Sequence, residues 1–141
     1  MPAFWDTSAI IRICVPAQAS NQAKTLLRAH APVVWWATRV EVRSVLERLR
    51  ADAAISAAAY IASKQRLDLL LASWREIQPT DLVRDLAYIQ LERFHLRASD
   101  AFQLAAALVW CKQKPKQRLF VCNDRRLLSS ATLAGFESVE S

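Results

Sequence analysis

Ala3-Phe4-Trp5-Asp6-Thr7-Ser8-Ala9-Ile10 sets three apolar residues against an acid, two hydroxyls and the start of a new apolar pattern. Ala3–Trp5 predicts a short buried strand. Thr7 or Ser8 is the expected cap of a helix running to about Cys14, which Pro16 closes. The same grammar recurs twice. Val33-Val34-Trp35-Trp36 precedes a helix predicted over Thr38–Arg50, and Leu119-Phe120-Val121-Cys122 precedes one over Asp124–Ala134. Strands that read as continuous apolar runs and alternate with helices imply a parallel sheet covered on both faces. The expected architecture is a three-layer α/β/α domain with a central parallel sheet, a single domain over residues 1–141.

Between these anchors the reading is coarser. Gln18–His30 predicts a helix with Leu26 and Leu27 facing inward, and Asp52 is the expected cap of a long Ala-rich helix through Leu71. Trp74–Gln78 predicts a third strand. Pro79-Thr80 starts a helix expected to bury Leu82, Leu86 and Ile89. Ser99 is the expected cap of a helix carrying Ala101, Leu104, Ala105 and Leu108 on its inner face. Gly135 ends the Asp124–Ala134 helix in the position glycine favours, and Phe136–Val139 predicts an edge strand. Trp35 and Trp36 are both expected in the core, although five tryptophans leave room for a base-stacking platform.

The totals narrow the chemistry. One glycine excludes a glycine-rich phosphate loop. Two histidines and three scattered cysteines argue against a zinc site or a disulfide framework. Cys14, Cys111 and Cys122 are expected as buried thiols in a reducing compartment. The longest nearly apolar run, Ala101–Cys111, is interrupted by Gln103 and is too short to cross a bilayer. No leader pattern is evident, so a cytoplasmic location is expected. A formal charge of +6 suits a polyanionic partner.

Asp6, Glu41, Asp100 and Asp124 each stand where a helix begins, and three of them closely follow a predicted strand. Each has a structural explanation. Thr38-Arg39-Val40-Glu41 matches a capping box, Asp100 sits in a first helical turn, Asp124 is a good N-cap, and Asp6 suits a strand-end turn. Their shared position points elsewhere, because ligands of open α/β sheets bind outside the carboxyl ends of the strands. Two carboxylates about 5 Å apart repel by roughly 3 kcal/mol at an effective dielectric near 20, so a cluster takes up protons or recruits a cation. Oxygen-only ligands favour Mg²⁺ or Mn²⁺. Such a site suits phosphodiester hydrolysis without a covalent nucleophile.

At these residues the chain resembles the PIN-domain ribonucleases, and among them the VapC-type toxins of toxin–antitoxin pairs. The resemblance rests on Phe4-Trp5-Asp6-Thr7-Ser8-Ala9-Ile10, on Glu41 within Thr38–Arg43, on Leu96–Ala105 around Asp100, and on Phe120–Leu127 around Asp124, followed by Ala134-Gly135-Phe136. It implies a PIN-like fold and a Mg²⁺- or Mn²⁺-dependent endoribonuclease, homodimeric and held inactive by a cognate antitoxin. Asp6 and Asp100 would be the principal metal ligands, Glu41 would complete the cluster, and Asp124 would bind directly or through water. Thr7 or Ser8 would fix the first carboxylate. Cys122 departs from the Ser or Thr common before the last acid, and Trp5 is bulkier than the usual aliphatic residue. Arg12, Arg43, Arg125 and Arg126, with the basic loop Lys112–Arg118, are the candidate RNA-phosphate contacts. A catalytically weak PIN module acting by RNA or protein binding is the alternative. A metal-dependent phosphatase on another α/β fold ranks below both.

Overall fold

The computed structural model describes residues Met1–Ser141, with the side chain of Ala17 left undescribed. In chain order the elements are β1 (Ala3–Trp5), α1 (Thr7–Cys14), a 3-10 turn (Pro16–Gln18), α2 (Asn21–Ala29), β2 (Pro32–Trp35) and α3 (Thr38–Ala51). They continue as α4 (Ala57–Leu71), β3 (Arg75–Ile77), α5 (Asp81–Phe94), α6 (Ala98–Trp110), β4 (Leu119–Cys122), α7 (Arg125–Ala134) and β5 (Glu137–Glu140). The strands pair in the order β3-β2-β1-β4-β5, every pairing parallel. The chain therefore builds outward from β1 on one side, then returns to build outward on the other. The reversal leaves a crevice between the carboxyl ends of β1 and β4, where sheets of this kind bind ligands.

Alternation along the strands divides the core into two. Phe4, Val33, Trp35, Ile77 and Phe120 face α5, α6 and α7. Ala3, Trp5, Val34 and Val121 face the other way, against residues of α1 to α4. Phe4 stacks on Phe120 across the β1–β4 pair, with centroids 5.4 Å apart. Burial of each such side chain contributes ~1.5–3 kcal/mol. The expected α/β/α layering with a central parallel sheet is what is observed.

Several boundaries differ from expectation for local reasons. Asp52 closes α3 instead of opening a helix. Ser56 starts α4, its hydroxyl accepting from the Ala59 N–H at 3.0 Å. Ser20 opens α2 three residues later than predicted. Ser99 lies inside α6, which begins after Arg97 without a side-chain cap. In α5 the buried stripe is Val83, Leu86, Ala87 and Gln90, while Leu82 and Ile89 stay half-exposed. The small Ala87 shares a cluster with Ala101 and Ala105 of α6, so the close approach of two alanine-bearing faces sets the phase of α5. β2 ends at Trp35, and Trp36 is 47% exposed in the following turn rather than in the core.

The single glycine acts as predicted. Gly135 adopts φ +112°, its N–H bonding to the Thr132 carbonyl at 3.0 Å, and Phe136 N–H reaches Ala131. A Cβ there would lie 3.0 Å from Pro115 Cγ. Gly135→Ala is expected to lower stability by about 1–2 kcal/mol, read as a shifted urea midpoint with an unchanged slope.

Candidate active site at the strand switch point

Asp6 leaves β1 in extended conformation, its N–H donating to the Val121 carbonyl of β4 at 3.1 Å. That bond pins the first acid at the switch point. Its Oδ1 caps α1 by accepting from the Ala9 N–H at 3.0 Å. Asp6, rather than Thr7 or Ser8, is thus the helix cap. Ser8 Oγ lies 2.8 Å and 2.9 Å from the two Asp6 oxygens and itself accepts from the Asn123 N–H at 2.8 Å. Of the two candidate hydroxyls, Ser8 fixes the carboxylate, and it stitches the end of β4 to the end of β1.

Glu41 does not form the capping box. Ala37 is the cap position of α3 and makes no side-chain cap bond, and Thr38 is already helical and fully buried. The Glu41 carboxylate turns instead to Gln103, whose Nε2 lies 3.2 Å from Glu41 Oε1, 2.9 Å from Thr7 Oγ1 and 3.1 Å from Thr38 Oγ1. One buried amide therefore ties together the first turns of α1 and α3 from its place on α6. Asp124 keeps its expected capping role, accepting from the Leu127 N–H at 3.1 Å. Cys122 Sγ accepts from the Asp124 N–H at 3.3 Å, so the thiol occupies the turn position that a hydroxyl would. Burial pushes that thiol far up, which removes it as a nucleophile at neutral pH.

The carboxylates descend from the surface inward. Asp124 is exposed, Asp100 and Glu41 are half-buried, and Asp6 is 3% exposed. Burial raises Asp6 to about 6, opposed by its bonds from Ser8 and Ala9. Burial raises Glu41 to about 7; the Gln103 bond opposes this, and the charges of Asp6 and Asp100 add to it. Asp100 is also raised, first by burial and then by Asp124, against the pull of Arg97 and Arg126. Glu41 thus feels Asp6 and Asp100, Asp100 feels Asp124, and the four acids stand on the same side of the sheet. The grouping is loose. Among the described residues, no three His, Cys, Asp or Glu side chains are gathered closely enough to hold a metal ion between them.

The donor chemistry nevertheless fits a hard cation. The set is carboxylate and hydroxyl oxygen, and two of its acids carry an uncompensated burial cost that a positive charge would relieve. Mg²⁺ keeps several waters and needs only one or two direct carboxylates, so an open arrangement suits it.

The cations divide. Arg125 is exposed in the first turn of α7, next to Asp124. Arg126 donates to the His95 carbonyl at 3.0 Å and acts on Asp100. Arg43 points outward and pairs with Glu47 at 3.3 Å. Arg12 lies in the last turn of α1, about 9 Å along the helix from Asp6, and its Nε is buried without a partner. The loop Lys112–Arg118 enters β4 at its amino end, the opposite pole of the sheet from Asp124, and lines a cavity with Leu26, His30 and Glu137. It is too far round the molecule to contact a phosphate held by the acids.

Sequence reading missed Arg97 and Gln103. The available signal for Gln103 was its spacing: a lone amide in an apolar run, three residues after Asp100, shares that acid's helix face. Gln103→Met keeps the volume and removes the amide. A cation held by Glu41 would be expected to bind roughly 10–100-fold more weakly, as for loss of a group that orients a ligand, and calorimetric titration with Mn²⁺ reads the change.

No family model matches the sequence, and no curated protein matches it. Solved structures do match the fold. PAE2754 from Pyrobaculum aerophilum superposes with a TM-score of 0.68 at 15% identity, covering 99% of this chain and 89% of that one. FitAcB from Neisseria gonorrhoeae gives 0.64 at 16% identity, covering 96% of each chain. A toxin–antitoxin complex from Klebsiella pneumoniae gives 0.61 at 17% identity, covering 86% of each. At such identities the likeness concerns architecture, and it extends over nearly the whole chain: the fold is the three-layer, PIN-like α/β/α arrangement.

Proposed function

We propose that this chain is a Mg²⁺- or Mn²⁺-dependent endoribonuclease and the toxin half of a toxin–antitoxin pair. The observation that carries the reading is the placing of acids at the starts of α1, α3 and α6 beside the β1–β4 switch point, where burial raises the proton affinity of all three and neighbouring acids add to it at Glu41 and Asp100. Asp6, Glu41 and Asp100 would hold the cation, with Asp124 at the exposed rim acting directly or through water. Held by these residues, a divalent cation would supply Lewis-acid polarisation of a phosphoryl oxygen, and hydrolysis would leave 5′-phosphate and 3′-hydroxyl ends.

The chain's own groups supply the rest. Ser8 keeps the Asp6 carboxylate in one orientation, and Gln103 does the same for Glu41. Arg97, Arg125 and Arg126 put positive charge at the mouth of an acidic centre and draw the RNA backbone toward it. The neighbour described as a toxin–antitoxin complex supports an antitoxin as the partner of this chain. Half-exposed Leu82, Tyr88 and Ile89 on α5 support a homodimer through that helix. Among the described residues no helix is long and apolar enough to cross a membrane.

The looseness of the acidic group favours a second reading, a PIN-like module that binds RNA or protein with little catalysis. Purified chain freed of any partner, incubated with structured RNA including tRNA, separates the two. Cleavage with Mg²⁺ or Mn²⁺ that stops with chelator supports the nuclease. Equal RNA affinity with and without metal, and no cleavage in either case, supports the binding module.

A further inference from the structure

We infer that the aromatic cleft beside the acidic centre is a nucleobase subsite, in which Trp36 stacks a base of the RNA strand next to the scissile phosphate. The inference rests on the ribonuclease reading for its choice of ligand. The cleft has a volume of about 390 Å³ and is lined by Trp35, Trp36, Ala37, Pro79, Arg84 and Phe102, among others. Its rings are already ordered. Trp35 lies flat on Phe102, centroids 5.4 Å apart and planes 7° apart, and Trp36 stands edge-on to Trp35 at 6.5 Å and 69°. Trp35 is buried, whereas Trp36 offers 47% of its surface to solvent. A large aromatic side chain left open on a rigid aromatic base is a stacking platform without a partner.

Continuity with the acids decides what covers it. Trp36 is two residues from Thr38 and Phe102 is adjacent to Gln103, and both Thr38 and Gln103 belong to the hydrogen-bonded group that holds Glu41. Two residues of extended chain span at most about 7 Å, so the cleft opens within reach of the nucleotide next to one held at the carboxylates. A strand cut at the switch point must continue along the carboxyl edge of the sheet, and the ends of β2 and β3 carry the cleft on that edge.

The lining matches a nucleotide better than an apolar helix. It contains no Leu, Ile, Val or Met, the residues that grip a helix face, but three aromatic side chains, the Arg84 guanidinium and the exposed Asp81 carboxylate paired with it. Arg84 pairs with Asp81 at 3.1 Å; both are more than half exposed, and such a surface pair contributes little, so Arg84 is free to turn to a phosphate.

The test uses the full chain carrying Asp6→Asn to prevent cleavage, titrated with a labelled single-stranded RNA and with the same strand made abasic. Adding Trp36→Ala is expected to weaken binding of the intact strand roughly tenfold and to leave the abasic strand unaffected. Trp36→Phe should retain most of the affinity. The dependence on salt should not change, because phosphate contacts are untouched. Equal affinity of parent and Trp36→Ala for the intact strand overturns the proposal. So does unchanged RNA affinity with loss of self-association or of antitoxin binding, which would make the cleft a protein-docking surface. The two failures are separable. Metal-dependent cleavage by the native chain with the same KM in Trp36→Ala removes the subsite and leaves the nuclease. Base-dependent binding lost in Trp36→Ala, with no cleavage by the native chain, supports the subsite and removes the nuclease.

Discussion

Asp6→Asn is expected to lower RNA cleavage by about a thousandfold or more while leaving RNA affinity within a fewfold of the parent. Asp6 is the most buried of the four acids and the one that the backbone itself positions, through the bond from its N–H to Val121. Asparagine is nearly isosteric and remains a good N-cap, so the bond from Ala9 survives and α1 keeps its start. What disappears is the charge. A change that removes about 4 kcal/mol of transition-state stabilisation by a held cation costs about three orders of magnitude in rate. RNA affinity of the proposed kind would come mostly from cations elsewhere on the surface, so binding should persist. Single-turnover cleavage beside an affinity titration reads both quantities. Wild-type cleavage by Asp6→Asn in the presence of metal would sink the proposed site.

The same substitution is expected to stabilise the metal-free protein at neutral pH. In the folded chain Asp6 holds its proton up to about pH 6, whereas the unfolded value is 3.8. Between those limits the folded state binds more protons, so the free energy of unfolding falls as pH rises. A difference of about two units corresponds to about 3 kcal/mol lost by pH 7, on the order of 10 °C in Tm. Glu41, raised to about 7 from 4.5, acts in the same direction, but its more open position screens the effect. The parent should therefore lose stability relative to Asp6→Asn between about pH 4 and pH 7, and Mg²⁺ or Mn²⁺ should return it to the parent alone. Melting curves for the two proteins across that range, with and without metal, measure the difference directly. Parallel pH profiles would mean that Asp6 carries no uncompensated charge. Diverging profiles would show activity and stability opposed at one residue, as they are where a fold is organised around a reacting site.

The parts of the fold legible in the sequence are those written in local signals. β1 and α3 are announced by their apolar patterns and the Asp124–Gly135 segment by an apolar run, a cap and a glycine stop, and each forms within a residue or two of its expected limits. Elements set by packing were not legible. Nothing within α5 says that Val83 and Ala87, rather than Leu82 and Ile89, meet the sheet side, because Ala101 and Ala105 of α6 decide it. Trp36 follows an apolar run but has passed the end of the strand, and only the paired neighbour β3 shows where β2 stops. The positions of the acids were legible because each announces itself at a helix start. Gln103 was not, since a neutral amide gives no sign of the three oxygens that converge on it from α1 and α3. The basic loop misled because charge in a sequence carries no direction. Its position before β4 sends it to the far pole.

The bond from Asn123 to Ser8 joins residues 115 positions apart. It has a consequence in time. β1 and Asp6 leave the ribosome well before their partner strand, which lies far along the chain. Until β4 docks, Asp6 lacks the Val121 carbonyl that pins it, Ser8 lacks Asn123, and Asp124 has not arrived. Domains form as units during synthesis, and contacts between distant segments form late. On the proposed ribonuclease reading, a nascent chain would lack its assembled acidic site until β4 has been made.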